Sequence, residues 1–122
     1  MKNFLLAVTA TLLLSTGLFA ADATPKTVIH VITVQWKADA TPEAIAKVLS
    51  VVAEMPSQYP GLTHVWTRPI KKQIPDGYSH VIVMEFASEE ALTKYVDSPA
   101  QKKFYEVYMP LRAESKTSDI TN

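Results

Sequence analysis

Nine residues, Val28-Ile29-His30-Val31-Ile32-Thr33-Val34-Gln35-Trp36, carry apolar side chains on both faces of one strand, and this restricts the folds open to the chain. Side chains alternate along a strand. One face therefore holds His30, Ile32, Val34 and Trp36, and the other Ile29, Val31, Thr33 and Gln35. The stretch Tyr78 to Phe86 repeats the pattern, with His80, Ile82, Met84 and Phe86 on one parity and Val81, Val83 and Glu85 on the other. An antiparallel sheet with one wet face shows apolar residues on a single parity. Both faces of these two strands need a cover.

The segments between them supply half of that cover. Thr41-Pro42-Glu43 reads as a helix start, with an N-cap hydroxyl, Pro at the first helical position and an acid in the first turn. Ile45, Val48, Leu49 and Val52 recur on one helical face, and Met55-Pro56 predicts the end of that helix. Pro60-Gly61 marks a turn before a second strand, Leu62 to Arg68, and Lys71 to Gly77 reads as a polar loop. Ser88-Glu89-Glu90 opens a helix with Ala91, Leu92, Tyr95 and Val96 on one face. Ser98-Pro99-Ala100-Gln101 restarts a helix through a capping box, with Phe104, Val107, Tyr108 and Leu111 as its apolar face. The polar tail from Glu114 onward carries a short last strand around Thr117 to Ile120.

The order β-α-β-β-α-(α)-β is the ferredoxin-like α+β plan, an antiparallel sheet with helices on one face. The other face is left open, and an uncovered apolar patch marks an interface. The simplest cover is the same face of a second copy, giving a dimeric α/β barrel paired through Ile29, Val31, Thr33, Val81 and Val83. The chain has no cysteine, so stability comes from packing and association rather than disulfides.

The first residues read as an address. Lys2 precedes an uncharged, mostly apolar run from Phe4 to Ala21 that ends in small residues. This describes a signal peptide over residues 1–20, with Ala23 the alternative cleavage position. Residues 21–27 then form a flexible lead-in and 28–122 one domain. The expectation is an exported protein, periplasmic or secreted, with no membrane anchor after cleavage. Twelve basic residues balance twelve acidic ones, and no basic tract interleaves with aromatics, so a nucleic-acid partner is not expected.

Several pieces together resemble the stress-responsive dimeric α/β-barrel (Dabb) family. They are Val28-Ile29-His30-Val31-Ile32, Pro60-Gly61-Leu62, Gly77-Tyr78-Ser79-His80, Glu85-Phe86, Ser88-Glu89-Glu90-Ala91-Leu92, and Tyr95 followed by Ser98-Pro99-Ala100. The resemblance spans Val28 to Leu111. It implies a ferredoxin-like fold, a dimer through the open sheet face, and a small cavity on the helix side of the sheet. A plant polyketide cyclase of this family closes a ring by aldol condensation with acid–base residues in that cavity. The family's pattern falls on His30, His80 and Tyr95 here. The cyclase's essential third-helix His falls on Gln101, and the His before its Pro on Ser98.

Gln101 has no titratable group, whereas aldol chemistry needs a base with a pKa near the working pH. Cyclase activity of that type therefore requires His30 or His80 instead. For each His the competing reading is an imidazole satisfied by backbone or Tyr, and for Tyr95 it is core packing. Antiparallel pairing of the two best strands sets His30 and His80 near opposite ends, too far apart to act together. Trp36 and Phe104 join His30, His80, Tyr95 and Gln101 as pocket candidates, with core filling as their alternative. His64, Asp76 and Glu85 are scattered, so no metal site and no cofactor is expected. Two functional classes follow: a dimeric module holding a small apolar ligand, without catalysis, or a cofactor-free lyase, cyclase or oxygenase using His30, His80 or Tyr95.

Overall fold

A computed structural model describes residues 26–72 and 74–121. The signal-peptide reading lies outside the described residues. The elements are strand β1 (Val28–Trp36), helix α1 (Pro42–Gln58), strand β2 (Leu62–Trp66), a 3-10 turn (Pro75–Gly77), strand β3 (His80–Phe86), helix α2 (Glu89–Tyr95), helix α3 (Pro99–Tyr108) and strand β4 (Arg112–Thr121). The four strands form one antiparallel sheet in the order β2-β3-β1-β4. This is the ferredoxin-like α+β arrangement expected from the element order.

The core lies between the sheet and the helices. Val28, Ile32 and Val34 of β1 and Ile82, Met84 and Phe86 of β3 are buried against Val48, Val52 and Met55 of α1 and Phe104 and Tyr108 of α3. Residues of the opposite parity, Ile29, Val31, Thr33, Val81 and Val83, remain partly exposed. The register places Val31 opposite Val83 and Thr33 opposite Val81 at the centre of that open face. A register shift between Leu62 and His64 turns β2 over. Leu62 thus enters the core opposite Phe86, while Trp66 joins the open face opposite Val83. Such a bulge re-aims every side chain beyond it.

Local chemistry sets the helix ends. The Thr41 hydroxyl accepts from the Ala44 N–H at 3.2 Å, and the Ser88 hydroxyl from the Ala91 N–H at 3.1 Å. Gly61 lies at a close approach: a Cβ there would stand 2.8 Å from Tyr59 Cε1 and 3.0 Å from Ala91 Cβ. That crowding accompanies a bond from the Tyr59 hydroxyl to the Ala91 carbonyl at 2.6 Å, which ties α2 to the end of α1.

Several expected boundaries are corrected. Helix α1 runs through Pro56 to Gln58, because the Tyr59 N–H still closes the last turn on the Met55 carbonyl at 2.9 Å. Strand β2 stops at Trp66 rather than Arg68, and β3 begins at His80 rather than Tyr78. Val96 caps α2 outside its last turn and is 53% exposed rather than part of an apolar helical face. The tail forms a ten-residue strand rather than a short one, since the long, well-formed edge of β1 gives its polar backbone a template from Val28 to Trp36.

Candidate functional site

A pocket of about 290 Å³ opens between the helix side of β1 and β4 and helices α2 and α3. It has two polar ends and an apolar waist. The waist is Ile32 of β1 and Phe104 of α3.

The first end is built on β1 and β4. The register sets His30 opposite Asp119, and the side chains meet, His30 Nδ1 to Asp119 Oδ1 at 2.5 Å. An ionised carboxylate only accepts, so Nδ1 carries the proton and Nε2 keeps the lone pair in the neutral ring. His30 is 17% exposed and Asp119 50% exposed at the side chain. The His30 ring stands edge-on to Phe86 at 6.2 Å. Gln101 lies at this end, on the first turn of α3. Its backbone N–H donates to the Ser98 hydroxyl at 3.2 Å, and its Oε1 accepts from the Asp97 N–H at 2.7 Å. The expected capping box therefore closes one residue further back, because the Ser98 N–H is taken by the Tyr95 carbonyl at 3.0 Å. The Gln101 Nε2 faces the Tyr105 hydroxyl at 3.5 Å.

The second end is built from α3 and the start of β4. Phe104 stacks on Tyr108 at 4.7 Å, and Tyr108 meets Trp36 edge-on at 5.9 Å. Tyr108 is 2% exposed, and its hydroxyl is buried without a hydrogen-bond partner of good geometry. Burial raises the Tyr108 phenol, while Ser115 and Arg112 pull it part of the way back. Arg112 donates from Nη1 to the Ser115 hydroxyl at 3.1 Å, and its Nε is buried and unpartnered.

The sequence candidates separate into three groups. His30, Tyr95, Gln101 and Phe104 line the pocket. Tyr95 presents its ring but turns its hydroxyl to Met55 Sδ at 3.7 Å, and burial pushes its phenol far up. That is a packing arrangement, with the ring on Phe86 at 5.1 Å. Trp36 and His80 do not line the pocket, which corrects their assignment to it. The indole N–H of Trp36 donates to His80 Nδ1 at 2.9 Å, and together they stand behind Tyr108. Their alternation put them on the correct face but not at the correct end of it. His30 pairs with Met84 and His80 with Val34, a four-residue offset, so the two imidazoles stand about 13 Å apart along the sheet, as the antiparallel argument required.

Arg112, Ser115, Thr117 and Asp119 are functional candidates that sequence reasoning missed. Ser115, Thr117 and Asp119 alternate on one face of β4, the register shift opposite Gln35 and Trp36 brings Arg112 onto that face, and a tail read as a short strand hid the pattern. Among the described residues no cluster of three or more His, Asp or Glu could hold a metal ion, and no helix is long and apolar enough to cross a membrane.

The fold recurs in solved structures. A hydroxynitrile lyase from Passiflora edulis superposes with a TM-score of 0.73 at 15% identity, covering 80% of this chain and 94% of that one. A dimeric ferredoxin-like protein of unknown function from Thermobifida fusca gives 0.70 at 16% identity, covering 80% and 92%. A Dabb family protein from Mesorhizobium loti gives 0.66 at 22% identity, covering 78% and 95%. No curated protein matches the chain in sequence. The family model of the stress responsive A/B barrel domain matches residues 28–122, all of the folded unit just described, and the chain belongs to that Dabb family.

Proposed function

We propose that this chain is an exported, homodimeric Dabb protein whose helix-side pocket takes a small organic molecule and moves a proton on it through His30. The observation that carries this reading is His30 in the pocket wall with the Asp119 carboxylate on its Nδ1. A carboxylate on Nδ1 fixes the imidazole tautomer and orientation and stabilises the imidazolium that forms when Nε2 takes a proton. Gln101 Nε2 and the Tyr105 hydroxyl are donors within the same pocket for an oxygen that gains charge as the proton leaves. Tyr95 has no part in the step, since its hydroxyl is turned into the core. The hydroxynitrile lyase fold supports the reading only as a precedent for chemistry on this architecture.

A small carbon acid tests it. In 5-nitrobenzisoxazole a base takes the ring C–H proton, the N–O bond breaks, and the electron pair ends on a coloured phenoxide. The expected result is ring opening that falls about a hundredfold in His30→Gln and about tenfold in Asp119→Asn, with melting unchanged. Equal rates for wild type and His30→Gln would remove the acid–base role. The second reading, a binding module without chemistry, would then stand on the pocket alone.

Pairing and export complete the proposal. Val31, Val81 and Val83 with the half-exposed Trp66 form an apolar patch that a second sheet covers at the ordinary face-to-face spacing of about 10 Å. Dimeric relatives of the same fold support this. Export rests on the leader, and the intact mass of protein recovered from outside the cytoplasm tests it through loss of residues 1–20 or 1–23.

A further inference from the structure

Arg112 lines the α3–β4 end of the pocket with an incomplete set of hydrogen-bond partners. Its Nη1 is satisfied by Ser115 at 3.1 Å, but Nε is buried and bonded to nothing. None of the ion pairs among the described residues involves it. The nearest acid along its strand, Glu114, pairs with Gln35 and so belongs to the other face of the sheet. Beside it the buried Tyr108 ring lies 5.9 Å from the guanidinium carbon, and its hydroxyl has Ser115 and Arg112 as neighbours but no hydrogen bond of good geometry. A guanidinium has only donors, and a phenol hydroxyl is a donor first. A buried N–H and a buried phenol hydroxyl without well-aligned partners are costly to leave so. Both costs fall when one group with several acceptor oxygens reaches the two side chains from the pocket they line.

We propose that Arg112 and Tyr108 form a carboxylate seat, and that the molecule taken by this pocket is an aryl or similarly flat acid. This deepens the reading of the pocket as a small-molecule site and rests on it. Geometry sets the length as well as the charge. Ser115, which holds the guanidinium, and Asp119, which holds His30, are four residues apart on β4, about 13 Å along the strand. Ile32 and Phe104 fill the interval. The fitting ligand therefore has a carboxylate at one end, one flat apolar ring at the waist, and its reacting or polar group at the far end toward His30.

The probes are 4-acetylbenzoate, which has this layout, and 4-methylacetophenone, which replaces the carboxylate by a methyl group. Calorimetric titration of the full domain, cleaved of its leader, is expected to show the acid bound at least about tenfold more tightly than the ketone. Arg112→Met is expected to erase that preference by weakening the acid alone, and Tyr108→Phe to reduce it by about threefold, with ketone binding as the control for a folded pocket. Raising the salt concentration is expected to weaken the acid only slightly, because the seat is buried. Equal binding of acid and ketone, or a preference that survives Arg112→Met, overturns the carboxylate seat and leaves the pocket reading standing. Failure of both probes to bind at about 10 mM overturns the seat and the pocket reading together.

Discussion

The Trp36 indole N–H points at His80 Nδ1 from 2.9 Å, and the Ser79 hydroxyl reaches the same nitrogen at 2.9 Å. An indole nitrogen only donates, so Nδ1 is an acceptor and the imidazole is neutral with its proton on Nε2. Burial lowers the His80 pKa below its ordinary value. The folded state therefore resists a proton that the unfolded chain accepts readily near pH 6.5. His80 contributes its full share of stability above that pH, and the share is lost as pH falls through the lower folded value. A melting series from pH 7.5 to pH 5 is expected to show a decline that is shallower in His80→Gln. An equal slope in both proteins would remove His80 as the cause.

Tyr95 tests whether a family position keeps its role when its hydroxyl faces the wrong way. Among the described residues, the hydrogen bond of its hydroxyl is the long one to Met55 Sδ. Tyr95→Phe is expected to cost less than about 1 kcal/mol and to leave ring opening of 5-nitrobenzisoxazole within about twofold of wild type. A loss of rate without a change in melting would return the hydroxyl to the chemistry.

Val83 stands opposite both Val31 and Trp66 at the middle of the open face. A charge there would be buried unpaired between two sheets. Val83→Glu is expected to convert the dimer to a monomer in light scattering at low micromolar concentration, with its far-UV spectrum retained. A wild type that is already monomeric would refute the pairing outright.

Ser98 holds the start of α3 and, through it, the position of Gln101. Ser98→Ala is expected to lower unfolding free energy by about 1 kcal/mol in urea titration, the usual worth of an N-cap. Ser98→Asp is expected to restore most of it, since its carboxylate accepts the same Gln101 N–H.

The sequence was most legible where one residue type has one physical consequence. Alternation in β1 and β3 sorted core from open face because a strand has no other period. Thr41, Ser88 and Ser98 located three helix starts because each hydroxyl has one backbone donor to satisfy. Pro56 misled, because its missing N–H matters only to the turn behind it and Tyr59 could still close the helix. The site was half visible. His30 could be placed on the correct face, but its partner Asp119 lies 89 residues away in a polar segment with no apolar rhythm of its own. Arg112 and Tyr108 were hidden for the same reason: burial of a polar group follows from strand pairing, which only the register of β4 against β1 reveals.

That pairing has a consequence for how such a domain diversifies. The hydrophobic core is formed by β1, β3, Leu62 of β2 and the helices, and β4 contributes no buried residue to it. Yet one face of β4 provides the pocket with Arg112, Ser115 and Thr117, and holds His30 through Asp119. On the proposed reading, ligand preference is written on an edge strand that supplies no residue to the buried core. Exchanges at the pocket-facing β4 positions would redirect the pocket toward other molecules without opening a cavity in that core.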